Sequence, residues 1–165
     1  MFRLIRDKII SYMNKFIIKN TVILSLILGL ILGLLAPIPY VGMVMLFIIL
    51  LMTAPLVIVY MIMAGQFDLT STKNSIITGA ISGFSANFSF SFTYALLMVV
   101  LGKVFHISTN FFLTAMISNS PIWLLLVFII FIGVLFATTN AFSGFLTHYV
   151  IDFIRDIYEK NNKGI

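Results

Sequence analysis

Cysteine is absent from this chain of 165 residues, and charged residues make up only 9% of it. Without cysteine the chain forms no disulfide, carries out no thiol redox chemistry and offers no thiolate ligand to a metal. A soluble globular domain typically has about 25% charged residues. The scarcity of charge therefore excludes an ordinary soluble domain.

Apolar residues take the place of the missing charge, at 61% of the chain and a mean hydropathy of +1.16. A helix of about 20 apolar residues crosses a hydrocarbon core of about 30 Å. Four stretches without a charged side chain are candidates for such helices: residues 21–36, 41–64, 75–102 and 122–148. We therefore predict an all-α integral membrane protein, a single membrane domain over residues 1–165 with four transmembrane helices in a lipid bilayer.

The segments that flank these spans are amphipathic. Residues 1–19 place apolar side chains at helical spacing, with basic side chains between them. This pattern predicts an N-terminal basic amphipathic helix in the headgroup region, the alternative being a positively charged flank of the first span. After His148, apolar and charged residues alternate to Lys160. This alternation predicts a C-terminal helical extension that leaves the membrane.

The four prolines mark breaks in the helical pattern. Pro37 and Pro39 predict a tight turn after the first span. Pro37 also stands where a signal peptidase would cut, so we expect the first span to be retained. Pro55 lies inside the second span and predicts a kink near its middle. Pro121 fits the first turn of the fourth helix.

Basic residues lie almost entirely on one side of the predicted spans. That side holds Arg3, Arg6, Lys8, Lys15, Lys19, Lys73, Arg155, Lys160 and Lys163, and the other side holds only Lys103. Because cytoplasmic loops are enriched in lysine and arginine, we expect a plasma (cell) membrane protein with both termini cytoplasmic. The net charge of +5 follows from this bias, so we expect no nucleic-acid partner.

The third span is unusually polar for a membrane helix. At about 100° per residue, its small residues fall on one arc: Ser75, Gly79, Ser82, Gly83, Ala86, Ser89 and Thr93. Bulky residues fall on the opposite arc: Ile77, Ile81, Phe84, Phe88 and Phe92. Small residues in a membrane helix mark where a second backbone approaches closely. Asn87 lies at the edge of this small face, near the middle of the membrane.

The fourth span has a second small face, made of Gly133, Ala137, Asn140, Ala141, Gly144 and His148. We predict that the third and fourth spans pack antiparallel through their small faces. At about 1.5 Å per residue from the inner ends, Gly83 falls near Asn140, with Asn87 one turn further out. The first span has a weaker stripe around Gly29 and Gly33.

The candidate site residues come from these two faces: Gly79, Gly83, Asn87, Gly133, Asn140, Gly144 and His148. They indicate either helix packing or a polar path through the membrane. The two asparagines fit interhelical hydrogen bonds or the lining of a wet path. His148 is the best titratable candidate, and its simpler interpretation is a helical pair with Asp152, four residues on.

Chemistry inside a membrane usually needs ionisable residues within the spans. Here the only one is His148, at the inner end of the fourth span. We therefore predict no enzyme activity, no cofactor and no metal site. The expected function is that of a non-catalytic subunit or accessory component of a membrane complex, with other membrane subunits or further copies of itself as partners. The alternative is a self-associating pore or small transporter, including a lysis-type pore protein.

Overall fold

The structure, a computed structural model, describes residues 2–38, 40–66, 71–107 and 120–162, with side chains from Lys15 to Asn161 within those ranges. Its helices are α1 (Phe2–Leu35), α2 (Val41–Phe47), a π-helical segment (Ile48–Met52), α3 (Thr53–Met63), α4 (Thr72–Lys103) and α5 (Ile122–Asn162). All regular structure in these residues is helical, which confirms the predicted all-α class.

Four helical stretches in the described residues are long and apolar enough to cross a membrane. They are Lys15–Leu35, Val41–Met63, Thr72–Lys103 and Ile122–Asn161. The second of them joins α2, the π-helical segment and α3. Each stretch overlaps one predicted span; the first begins at Lys15 instead of residue 21, and the last ends at Asn161 instead of residue 148.

Both predicted flanking segments are helical, but neither forms a helix of its own. α1 runs without interruption from Phe2 to Leu35, because no proline falls within it and its first glycine is Gly29. The backbone therefore favours a charged flank of the first span over a separate interfacial helix. The side chains of residues 2–14 lie outside those described. α5 continues to Asn162, which confirms the predicted C-terminal extension.

α4 is the helix against which α1, α3 and α5 pack. α1 runs parallel to it at close range, with Gly29 against the backbone of Ala86 and Gly33 against Phe90. α5 runs antiparallel along another side of α4, and the stretch from α2 to α3 contacts α1, α4 and α5. The weak glycine stripe of the first span therefore packs on the third.

Two apolar clusters fill the space between the helices. One contains Leu32, Ala36, Ile49, Ala86 and Phe90, and the other contains Val57, Ile58 and Met61. Phe90 is buried although sequence periodicity did not place it on the small face, because α4 is covered by more than one helix. On the opposite face Phe84, Phe88 and Phe92 are exposed.

Candidate functional site

Glycines bring the backbones of α4 and α5 into direct contact. A methyl group on Gly83 would lie 2.5 Å from the carbonyl oxygen of Phe136 and 2.6 Å from Cβ of Asn140. One turn closer to the inner end, Gly79 meets the backbone of Asn140, and Gly144 meets the backbone of α4 in the same way. Nothing larger than hydrogen fits at these points. Gly83 therefore lies beside Asn140, in the register that the sequence predicted.

The second span forms the other side of this site because its helix is broken next to Pro55. Proline has no N–H to donate, and its ring clashes with the carbonyl four residues earlier, here that of Leu51. The predicted kink is a π-helical segment, Ile48–Met52, directly before Thr53. A buried backbone group without a hydrogen-bond partner costs about 1–3 kcal/mol, so the groups at this break need partners from neighbouring helices.

Asn140 on α5 supplies most of these partners. Its Oδ1 accepts a hydrogen bond from the backbone N–H of Ala54 at 2.9 Å. Its Nδ2 donates to the carbonyls of Leu50 at 3.0 Å and Ile49 at 3.1 Å, and to Phe136 on its own helix at 3.0 Å. With the amide turned over, its NH2 group would face the N–H of Ala54 and its oxygen would face the carbonyl oxygens of Ile49 and Leu50. Asn140 is 0% exposed. Its side-chain amide therefore bonds the backbone at the break in place of water.

Ser143, about one turn along α5 from Asn140, also bonds the backbone at the break. Ser143 Oγ donates to the carbonyl of Leu51 at 2.6 Å, the carbonyl for which Pro55 has no N–H. Thr53 Oγ1 adds a bond to the carbonyl of Ile49 at 3.0 Å. We call Asn140, Ser143 and the backbone of residues 49–54 the asparagine clasp. It joins α5 to the second span at the level where both contact α4.

Asn87 lies one turn further out and in a looser setting. Its Nδ2 donates to the carbonyl of Ile129 on α5 at 3.4 Å, and its Oδ1 accepts from the hydroxyl of Ser91 at 3.4 Å. A methyl group on Gly133 would lie 3.5 Å from Asn87 Nδ2 and 3.0 Å from the ring of Phe84. Asn87 is buried, at 1% exposure, but both hydrogen bonds are long.

His148 lies on α5 eight residues, or about 12 Å along the helix, from Asn140 in the direction of the C-terminus. Its Nε2 is 3.3 Å from Oδ2 of Asp152, and Arg155 lies 3.9 Å from the other carboxylate oxygen. Among the described side chains, Nδ1 of His148 and Oγ of Ser75 are buried without a hydrogen-bond partner. His148 therefore belongs to the inner rim of the bundle and not to the asparagine clasp.

The predicted site residues thus fall into three groups. Gly79, Gly83, Asn140 and Gly144 share one close interface, Asn87 and Gly133 share a looser one, and His148 lies at the rim. The carbonyls of Ile49, Leu50 and Leu51 each lie within hydrogen-bond distance of a side-chain N–H or O–H. The arrangement stabilises a broken helix and fixes three helices in one register.

Sequence reasoning identified Asn140 but not its main partner. It paired the fourth span with the third alone, whereas the asparagine clasp joins the fourth span to the second. The available signal was Pro55, because a proline inside a membrane helix frees backbone groups that a polar side chain on a neighbouring helix can satisfy. Ser143 gave no such signal, since serine and threonine in helices commonly bond a carbonyl of their own helix, as Thr147 does.

The chain matches no protein-family model, no curated protein and no solved structure. What supports a functional proposal is therefore the chain's own geometry.

Proposed function

We propose that this chain is an integral membrane protein whose four apolar helical stretches span a cell membrane, with both termini and the segment at 64–71 in the cytoplasm. Two observations support this proposal. The stretches have the length and hydropathy that spanning requires. The basic residues also lie on one side of them, with Lys103 alone on the other.

Within that setting we propose a non-catalytic role, as a subunit or accessory component of a membrane complex. The observation that carries the proposal is the asparagine clasp. Its polar groups are bonded to one another and tie helices together, as structural polar groups in membrane proteins do. The outward faces of the same helices are apolar and exposed, which suits contact with lipid or with other membrane subunits.

Purification of the tagged chain from its native membrane in mild detergent tests this role. We expect other membrane proteins to co-purify with it in a fixed ratio. A preparation that contains this chain alone, and that conducts ions after reconstitution in liposomes, would overturn the accessory role in favour of a pore.

A self-associating pore or small transporter is the second candidate. The observation in its favour is the broken second span, because interrupted membrane helices often form substrate and ion sites near the bilayer centre. In this chain the carbonyls at the break are bonded to Asn140 and Ser143, so such a site would have to open the asparagine clasp. Ion flux through liposomes that contain wild type or Asn140→Leu separates the two roles. A pore gated by the clasp changes its flux in the variant, whereas an accessory subunit conducts in neither.

The membrane orientation has its own test, which the absence of native cysteine makes simple. Single cysteines at Ser71 and Ser108 are exposed to a membrane-impermeant thiol reagent in right-side-out vesicles. Four spans place the two positions on opposite sides, so we expect only Ser108→Cys to react. Reaction of both variants from the same side would contradict the four-span arrangement.

A further inference from the structure

Two buried polar atoms among the described side chains have no hydrogen-bond partner: Oγ of Ser75 and Nδ1 of His148. Ser75 is 0% exposed and His148 is 7% exposed. Burying a polar group without a hydrogen bond costs free energy, so buried polar groups without a protein partner are commonly bonded to ordered water. The two atoms therefore mark a place where the bundle can bind water.

Both side chains lie at the end of the α4–α5 interface where α4 begins. A methyl group on Gly144 would lie 2.5 Å from the carbonyl oxygen of Ser75, and His148 follows Gly144 by one turn of α5. Side chains in a helix tilt toward its N-terminus. Because α4 and α5 are antiparallel, Ser75 tilts toward the start of α4 and His148 tilts back toward Gly144. We call Ser75, Gly144 and His148 the inner junction.

The chemistry of the two atoms matches that of water. Nε2 of His148 is 3.3 Å from Oδ2 of Asp152. This contact places the N–H of a neutral imidazole on Nε2 and leaves Nδ1 as an acceptor. The hydroxyl of Ser75 both donates and accepts. Water can donate to Nδ1 and can form either kind of hydrogen bond with Ser75.

Solvent is one helical turn away from the inner junction. Ser71 and Thr72 are partly exposed. The first turn of α4 is also loosely bonded. The backbone nitrogen of Ser75 lies 3.4 Å from the carbonyl oxygen of Ser71, whereas that of Asn74 lies 2.9 Å from the same oxygen. A small displacement of this turn would admit water to Ser75.

The interface has no such need for water closer to the asparagine clasp. Ser82 is 0% exposed, and its hydroxyl donates to the carbonyl of Gly79 at 2.9 Å. A methyl group on Gly79 would collide with the backbone of Asn140. At this level Ser82 and Asn140 have partners, and the two backbones leave no room for water between them.

We propose that water enters the inner junction from the cytoplasm and binds Oγ of Ser75 and Nδ1 of His148, and that it does not reach the asparagine clasp. The inference rests on the membrane orientation proposed above, which places the start of α4 on the cytoplasmic side. The α4–α5 interface is then wet at its inner end and dry at the level of the clasp.

Single cysteines at two buried serines of α4 test the proposal. Ser75→Cys lies at the inner junction, and Ser82→Cys, about two turns further along the same helix, is the matched control. Silver ions are added to sealed inside-out vesicles, and the thiols that stay free are labelled with a maleimide after denaturation. We expect Ser75→Cys to be blocked at least about ten times faster than Ser82→Cys, because a thiol reacts as the thiolate and needs contact with water.

Two results of this comparison would overturn the proposal. Slow blocking of both variants would show that the inner junction is dry, and fast blocking of both would show that water passes the asparagine clasp, as a pore requires. Ser108→Cys should stay free in the same vesicles. Its blocking would contradict the membrane orientation and not the inner junction, so the two failures are distinguishable.

A second comparison tests the role of the imidazole. Ser75→Cys is combined with His148→Phe, which removes Nδ1, or with His148→Gln, which keeps a polar group. We expect blocking of the introduced thiol to be at least about three times slower with His148→Phe than with His148→Gln, because no buried polar atom at position 148 then needs water. Equal rates would show that fraying of α4, and not the unpaired polar atoms, admits water.

Discussion

The surroundings of Asn140 and Asn87 differ although both asparagines are buried between α4 and α5. Asn140 has four hydrogen-bond contacts of 2.9 to 3.1 Å, in three of which the two hydrogens of its Nδ2 are shared among three carbonyls. Asn87 makes two, each of 3.4 Å. Asn140 lies against a helix broken next to Pro55, whereas Asn87 faces the unbroken helix α5. The comparison teaches that the partners of a buried amide in a helix bundle depend on the backbone opposite it.

The physical reason is the supply of unpaired backbone groups. In an intact α-helix each carbonyl already accepts an N–H from four residues later, so a facing amide adds only a second, weaker bond. A proline removes one of those donors and displaces the turn before it. The amide of Asn140 then binds backbone groups next to the break, and its loss removes those hydrogen bonds.

The largest expected effect comes from adding one methyl group on the Asn140 side. In Gly83→Ala the methyl would lie 2.5 Å from the Phe136 carbonyl oxygen, so α4 and α5 must separate. We expect a loss of about 3 kcal/mol in the free energy of unfolding, near the upper end for overpacking. The measurement is unfolding of the purified protein in mixed detergent micelles.

Gly133→Ala is the matched substitution on the Asn87 side. Its methyl would meet the ring of Phe84 at 3.0 Å, and a partly exposed ring can move aside. We expect a cost below about 1 kcal/mol. Equal costs for the two glycines would remove the difference between the two regions.

The next effect in size is that of Asn140→Leu, which keeps the number and branching of the side-chain heavy atoms and removes the hydrogen bonds. The N–H of Ala54 and the carbonyl of Leu50 would lose their bond to Asn140, and the carbonyl of Ile49 would keep its bond from the Thr53 hydroxyl. An unpaired buried group costs about 1–3 kcal/mol in soluble proteins, and measured values in membranes are smaller. We expect a loss of about 2 kcal/mol in the free energy of unfolding.

Ser143→Ala should have a smaller effect, because it removes only the bond to the carbonyl of Leu51. We expect a loss of about 1 kcal/mol in thermal or denaturant unfolding. Thr139→Val is the control, since the Thr139 hydroxyl bonds the carbonyl of Leu135 on its own helix. We expect the change in the free energy of unfolding for this variant to be close to zero. A Thr139→Val cost as large as that of Ser143→Ala would show that interhelical bonding at the break has no special weight.

The smallest effect should be that of Asn87→Leu. Its two bonds are long and the facing helix is intact, so we expect less than about 1 kcal/mol, close to the average of about 0.6 kcal/mol for interhelical hydrogen bonds in membranes. The same unfolding assay measures it. A loss as large as that of Asn140→Leu would contradict the assignment of different roles to the two asparagines.

Periodicity predicted the parts of the fold that depend on helix faces. The small faces of the third and fourth spans place Gly83 beside Asn140, as the structure does. Periodicity did not predict which helix Asn140 binds, because the partner is a set of backbone groups and not a side-chain face. The exposed apolar face around Phe153 was visible as an amphipathic pattern. That this face extends past the start of α4 required the unbroken helix and the register set by Gly144.

A double-mutant cycle between Pro55 and Asn140 tests the central claim most directly. In Pro55→Leu, residue 55 regains an N–H that can bond Leu51, and the second span can close into a continuous α-helix. Asn140→Leu should then cost at least about 1 kcal/mol less than in the wild-type background, a coupling typical of residues that share a network. Independent sites give costs that agree within about 0.5 kcal/mol in the two backgrounds. That result would contradict the claim that Asn140 stabilises the protein by bonding the backbone groups that Pro55 leaves at the break.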